Sequence, residues 1–240
     1  MDIKNILAAS LDLDFDYNKI KEEILATKKF WNHSPPYDFN VQAAKQGQIF
    51  ASESLDLYDR VDYQTKQHQH ISKDLRGQYI FYMRYHVDNK KNVNRFDITK
   101  KLDVQGWRWR EEIIEKTPYL RFCLESLPYE HIGCIRVFIT ENTFFATHRD
   151  YGWGEDRLSK DYDACFGLSI IPDTGRVPMK IHSFDTGEIH EVSGNAMLFN
   201  DSAWHGVGMV DGIRITIRVF GKIDYQKFLP FVNQDSVVLS

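Results

Sequence analysis

The sequence predicts a mainly β protein with flanking helices: a helix-rich first half supporting a β-sandwich or barrel built from the second half. Two observations predict it. After Pro128, seven short apolar runs follow one another, separated by Gly, Pro, Asn or Asp, which is the spacing of a sandwich or barrel. Before Pro128, apolar residues recur instead at helical intervals. Helices must cover one face of a sheet, so both halves are read as one domain over 1–240. Within it, 1–130 form a helical and loop support, 131–222 the β core and 223–240 a C-terminal tail.

The elements follow in chain order. YNKIKEEILATKK (17–29) carries a helical spacing through Ile20, Ile24 and Leu25, and Ser34-Pro35-Pro36-Tyr37 then breaks the chain into an extended turn. Residues 40–75 are polar and Gln-rich and read as loops with short elements. GQYIFYMRYHV (77–87) alternates Tyr79, Phe81, Met83 and Tyr85 against Ile80, Tyr82 and Arg84, a strand pattern. Between Trp107 and Leu127 the helical spacing returns through Trp109, Ile113, Ile114, Tyr119, Leu120, Cys123 and Leu124. Pro118 divides that stretch into two helices. The β half offers IGCIRVFIT (132–140), FFATHRD (144–150), CFGLSIIP (165–172), VPMKIHSF (177–184), GEIHEV (187–192), NAMLFN (195–200) and IRITIRVFG (213–221).

Composition narrows the function. A chain of 240 residues, 42% hydrophobic and 27% charged, buries a core without disulfides or a structural metal, so a metal site would be chemical. Cys123, Cys134 and Cys165 are odd in number, lack C-x-x-C spacing and read as buried reduced thiols of a cytoplasmic protein. A net charge of −4 without a basic stripe argues against nucleic acid as a partner. No apolar run approaches the roughly 18 residues of a membrane span, and the N-terminus carries acids where a signal peptide would be apolar.

The chemistry gathers in the β half. His148-Arg149-Asp150 is an H-x-D on a predicted strand, where alternation puts residues 148 and 150 on one face, within reach of one ion. His205 lies 55 residues beyond Asp150, just after a strand. Two imidazoles and a carboxylate on one side of an octahedral ion leave positions open for a co-substrate and O2. H-x-D alone carries little weight; the ordered set with a distal histidine and a following arginine strand carries more. That strand puts Ile213, Ile215, Ile217 and Val219 on one face and Arg214, Thr216 and Arg218 on the other. If the apolar face packs on helices, the guanidinium groups point into the barrel and call for an anion, a dicarboxylate being suitable. The competing reading is an edge strand with its polar side in water.

HRD, W-H-G and R-I-T together resemble the H-x-D…H…R-x-S/T pattern of Fe(II)/2-oxoglutarate-dependent oxygenases over roughly residues 130–221. The resemblance implies a double-stranded β-helix (a cupin-like jelly roll) flanked by helices. It implies Fe(II) on His148, Asp150 and His205, with 2-oxoglutarate and O2 as co-substrates. Arg214 would hold the distal carboxylate of 2-oxoglutarate, with Thr216 beside it. Arg214 lies nine residues after His205, about one short of the usual spacing, so Arg218, at thirteen, stands as a substitute. The segment IGCIRVFITENTFFATHRDYG also looks like enzymes that hydroxylate or chlorinate free amino acids such as lysine, with a looser similarity to aspartyl/asparaginyl and proline hydroxylases. In the halogenating relatives the ligand acid is a small residue, so Asp150 implies hydroxylation.

For a small-molecule substrate, Arg84 and Arg136 are candidates to meet a carboxylate, each with a structural salt bridge as the alternative. Trp153 sits in a glycine-and-aromatic segment that reads as a lid or as a surface turn, and Trp204 either walls the site or packs the core. His33, His68, His70, His86, His131, His182 and His190 are scattered and read as surface or hydrogen-bonded histidines. Two other functions stay open: a cupin-like protein binding metal or ligand without oxidation, and a hydroxylase acting on a protein or carrier-bound residue.

Overall fold

A computed structural model describes residues 6–34, 78–89, 105–141, 145–148, 166–173, 177–183, 186–201, 203–208 and 210–239. Along them run β1 (Ile6–Ser10), α1 (Tyr17–Leu25), β2 (Asn32–Ser34), β3 (Gln78–Tyr82), β4 (Arg84–His86) and β5 (Trp107–Trp109). Next come α2 (Glu111–Ile114), α3 (Pro118–Ser126), β6 (Tyr129–Glu141), β7 (Phe145–His148), β8 (Phe166–Ile170) and β9 (Met179–His182). The chain continues through β10 (Ile189–Val192), β11 (Ala196–Asn200), β12 (His205–Val207), β13 (Ile213–Ile223), α4 (Tyr225–Phe228) and β14 (Val238–Leu239).

The strands assemble into two main antiparallel sheets. The larger has the order β14-β1-β11-β8-β13-β6-β3-β2 and the smaller β10-β9-β12-β7, while β4 and β5 pair separately. From β6 to β13 the chain passes back and forth between the two sheets, so that β6, β8, β11 and β13 lie in one and β7, β9, β10 and β12 in the other. That is the strand order of a jelly roll. All seven strands expected after Pro128 are present.

The large sheet buries both faces. On one, Ile215, Ile217 and Val219 of β13 join Ile135, Val137 and Ile139 of β6 in a cluster with Ile20, Ile24, Leu120 and Leu124 of α1 and α3. Burying each such side chain contributes about 1.5–3 kcal/mol. On the other, Met197 and Phe199 of β11 meet Met179 and Ile181 of β9 and Val192 of β10, so a second cluster fills the space between the sheets. The alternation of β13 therefore sends its isoleucines toward the helices and its arginines between the sheets, as the sequence pattern requires.

The helices are tied by their ends. Asp16 caps α1 by accepting from the Lys19 amide at 3.0 Å. Glu23 of α1 accepts from the amides of Tyr119 and Leu120 at 2.9 and 2.8 Å, serving the otherwise unpaired first turn of α3. Pro118 opens α3 at a position that needs no donor, so the expected division into two helices is observed.

The expectation of a helix-rich first half does not hold among the described residues. There α1, α2 and α3 share the chain with five strands. Trp107 and Trp109, taken as the start of a helical run, instead belong to β5, paired with β4 through Arg84 and Trp109. Their separation of two is the strand period, masked by the helical spacing that follows. β1 was not foreseen: every residue of it is buried, so no alternation marks it. Cys123 and Cys134 are buried free thiols, as expected; Cys165 and the 40–75 segment fall outside the described residues. None of the described helices is long and apolar enough to cross a membrane.

β13 and β6 change register between Val219 and Gly221. A Cβ at Gly221 would stand 2.1 Å from the His131 carbonyl oxygen, so backbone meets backbone with no room for a side chain. Gly221→Ala is expected to destabilise the fold by about 1–3 kcal/mol. Thermal unfolding followed by circular dichroism should show a midpoint several degrees lower.

Candidate metal and anion site

β12 is a short central strand of the small sheet, lying between β7 and β9. Its first residue, His205, has His148 of β7 as its Cα partner on one side and Ile181 on the other. The ladder thus brings two of the three expected ligands into register from positions 57 residues apart in the chain. Asp150 and Trp153 lie outside the described residues. Among the described residues no three His, Cys, Asp or Glu side chains gather into a metal-binding group.

His205 is buried, and its ring meets the Phe199 ring edge-on at 4.9 Å, which places it between the sheets. Its Nδ1 lies 2.9 Å from the Ala203 carbonyl oxygen. A carbonyl can only accept, so Nδ1 donates this bond, the arrangement in which Nε2 is the ligating nitrogen of a metal-bound imidazole.

Arg214 is buried, with only 8% of its surface exposed. It donates from Nη1 to the Val177 carbonyl, while its Nε has no hydrogen-bond partner. Burial lowers its pKa to about 10, with Asp173 opposing that shift, so at neutral pH it remains a buried cation. It lines a small surface cleft together with Asp173, Val177, Ser193 and Met197. Asp173 is held by the Lys21 ammonium of α1. A buried guanidinium with an unused N–H beside a cleft suits an incoming carboxylate.

Arg218, two turns of the alternation further along β13, is differently engaged. Its Nη2 stands 3.1 Å from the Asp201 carboxylate, whose side chain is fully buried. Thr216 lies between the two arginines, half-buried, with Phe138 and not a charged residue as its partner across β6. Asp201, one residue beyond β11, received no role from the sequence; the available signal is an acid four residues ahead of the distal histidine.

The candidate substrate residues separate. Arg84 clamps main chain: it donates to the carbonyls of Ile132, Gly133 and Trp107, and burial lowers its pKa to about 10. Arg136 is the cross-strand neighbour of both Arg218 and Tyr82, and its guanidinium lies 4.8 Å from the rings of Phe138 and Phe220. Burial raises the Tyr82 phenol to about 12, so it stays neutral. Trp204 is half-buried, and its carbonyl accepts from the His182 amide at 2.9 Å, joining the approach to β12 to the end of β9.

No family model matches the chain, and no curated protein matches it. Solved structures do show a likeness. One is a prolyl hydroxylase from Trichoplax adhaerens in complex with a hypoxia inducible factor oxygen degradation domain peptide fragment, at 10% identity and TM-score 0.49, covering 94% of this chain and 87% of that one. Another is a prolyl-4-hydroxylase from Pseudomonas putida, at 11% identity and TM-score 0.40, covering 92% and 95%. A third is an oxidoreductase of the 2OG-Fe(II) oxygenase family from Burkholderia pseudomallei, at 11% identity and TM-score 0.36, covering 79% and 90%. At such identities and scores these likenesses establish no function for this chain.

Proposed function

We propose that the chain is an Fe(II)- and 2-oxoglutarate-dependent oxygenase, with His148, Asp150 and His205 as metal ligands and Arg214 as the anchor of the co-substrate. More particularly, it hydroxylates an unactivated C–H bond of a small molecule, a free amino acid such as lysine being the first class to test. The observation that carries this reading is the cross-strand pairing of His148 with His205, from an H-x-D and a distal histidine on adjacent strands of a jelly roll.

The protein's own groups have separable tasks. His205 is held in the ligating tautomer by the Ala203 carbonyl. Arg214 offers a charged, desolvated donor to the far carboxylate of 2-oxoglutarate, fixing its direction in the cleft. Arg218, already matched by Asp201, is the poorer candidate for that anchor, since an incoming acid would have to displace a buried carboxylate. Bound iron would couple oxidative decarboxylation of 2-oxoglutarate to oxidation of the substrate.

The test is a succinate-release screen over the free amino acids with Fe(II), 2-oxoglutarate and ascorbate. At least one amino acid should raise succinate above the substrate-free background, with a hydroxylated product of mass one oxygen greater. Release unaffected by every amino acid, yet stimulated by a peptide or carrier-bound residue, would transfer the substrate assignment to the larger partner. No release and no 2-oxoglutarate binding would leave the non-oxidative cupin reading.

A further inference from the structure

We propose that the buried Asp201–Arg218 pair is the device that positions His205, an inference that rests on the metal role of His205. Asp201 and Arg218 would then be positioning residues, acting on the ligand from behind.

The geometry shows two routes from Arg218 to the imidazole. The first runs through the turn between β11 and β12. Arg218 holds the Asp201 carboxylate at 3.1 Å, with both side chains buried. Within that turn the Ala203 amide donates to the Asn200 carbonyl at 3.2 Å, and the Ala203 carbonyl accepts from His205 Nδ1 at 2.9 Å. Asp201 is therefore gripped inside the turn whose Ala203 carbonyl meets His205 Nδ1. The second route runs through Phe199. The Arg218 guanidinium lies 4.2 Å from the Phe199 ring centroid, and the His205 ring meets Phe199 at 4.9 Å and 62°. Guanidinium, phenyl and imidazole thus form one contact series.

β8 makes room for it. Gly167 is the cross-strand partner of Phe199, and a Cβ there would come within 2.7 Å of Arg218 Nη2. Arg218 itself comes from a strand paired on both sides, with Arg136 of β6 and Ser169 of β8 as neighbours, so its backbone origin is fixed. A buried ion pair adds little net stability over well-packed apolar groups, but it specifies direction. Here the direction it specifies is that of the turn carrying His205.

The test uses the full chain with Co(II) as the probe, in wild type, Asp201→Asn, His205→Ala and the double variant Asp201→Leu with Arg218→Met. Co(II) affinity is measured by titration calorimetry, folding by thermal melts without metal, and the His205 tautomer by ring nitrogen shifts of the metal-free protein. Asp201→Asn is expected to weaken Co(II) binding about tenfold or more and to give a tautomer mixture at His205. The double variant, which removes both charges of the pair together, is expected to melt closer to wild type than Asp201→Asn while its Co(II) affinity stays reduced. That separation supports positioning, and it decides the matter even if Asp201→Asn fails to fold. A double variant with wild-type Co(II) affinity and a single His205 tautomer overturns this inference alone. Wild type binding Co(II) no more tightly than His205→Ala overturns the proposed ligand role itself.

Discussion

Asp150→Ala is expected to abolish 2-oxoglutarate-dependent oxidation while leaving the fold intact. The residue lies outside the described segments, and its assignment comes from its place two residues after His148, whose backbone partner is His205. Of the three proposed ligands it is the one that supplies negative charge. Two neutral imidazoles alone hold a divalent cation weakly, and they leave its charge uncompensated. Loss of an outer partner of a metal ligand costs about 10–100-fold, so loss of the ligand carboxylate should exceed about 100-fold in turnover. Succinate release and Fe(II) affinity should fall together, with an unchanged circular dichroism spectrum. Turnover by Asp150→Ala near the wild-type rate would refute the assignment.

Arg214→Gln is expected to raise the 2-oxoglutarate concentration needed for half-saturation by roughly 10–100-fold, since a hydrogen bond to a charged group is worth about 1.5–3 kcal/mol. The substitution removes a cation that burial already disfavours, as its pKa near 10 shows. The metal-free protein should therefore lose little stability: the Nη1 bond to the Val177 carbonyl is given up, but the Nε serves no partner in the fold. Arg218→Met is expected to behave in the opposite way. It removes the Arg218 partner of the buried Asp201 carboxylate, a loss of up to about 3–5 kcal/mol, and lowers the melting midpoint more than it affects 2-oxoglutarate saturation. The pair of substitutions thus distinguishes the two arginines that spacing alone left open. A large rise in half-saturation from Arg218→Met with no change from Arg214→Gln would reverse their roles. Titration of the Fe(II) protein with 2-oxoglutarate under anaerobic conditions, followed by the visible charge-transfer band, measures both.

The contrast between the arginines also shows what the sequence could and could not convey. The alternation Ile213-Arg214-Ile215-Thr216-Ile217-Arg218-Val219 gave the faces of β13 correctly, because a strand packed on helices on one side must alternate. It could not say that Arg218 already had a partner, since Asp201 belongs to a turn outside any periodic element. In the same way β12 is three residues long, too short for a pattern: His205 follows one strand, as expected, and also opens another. Its pairing with His148 is a property of the ladder and appears in no local window. β1 was invisible for the reverse reason: buried on both faces, it carries no polar residue at alternate positions until Ser10, itself buried. The first half misled because Trp107 and Trp109 fit the start of a helical series as well as a strand. Arg84 could be read as a substrate group from sequence, whereas the structure commits its head to three backbone carbonyls.

The most direct measurement is a crystal structure of the protein grown without oxygen in the presence of Fe(II), with anomalous scattering recorded at the iron edge. A single peak should lie within about 2.0–2.2 Å of an imidazole nitrogen from each of His148 and His205 and an oxygen of Asp150, distances typical of first-row metal ligands. Iron bound elsewhere, or those three side chains diverging with no common cation between them, would contradict it.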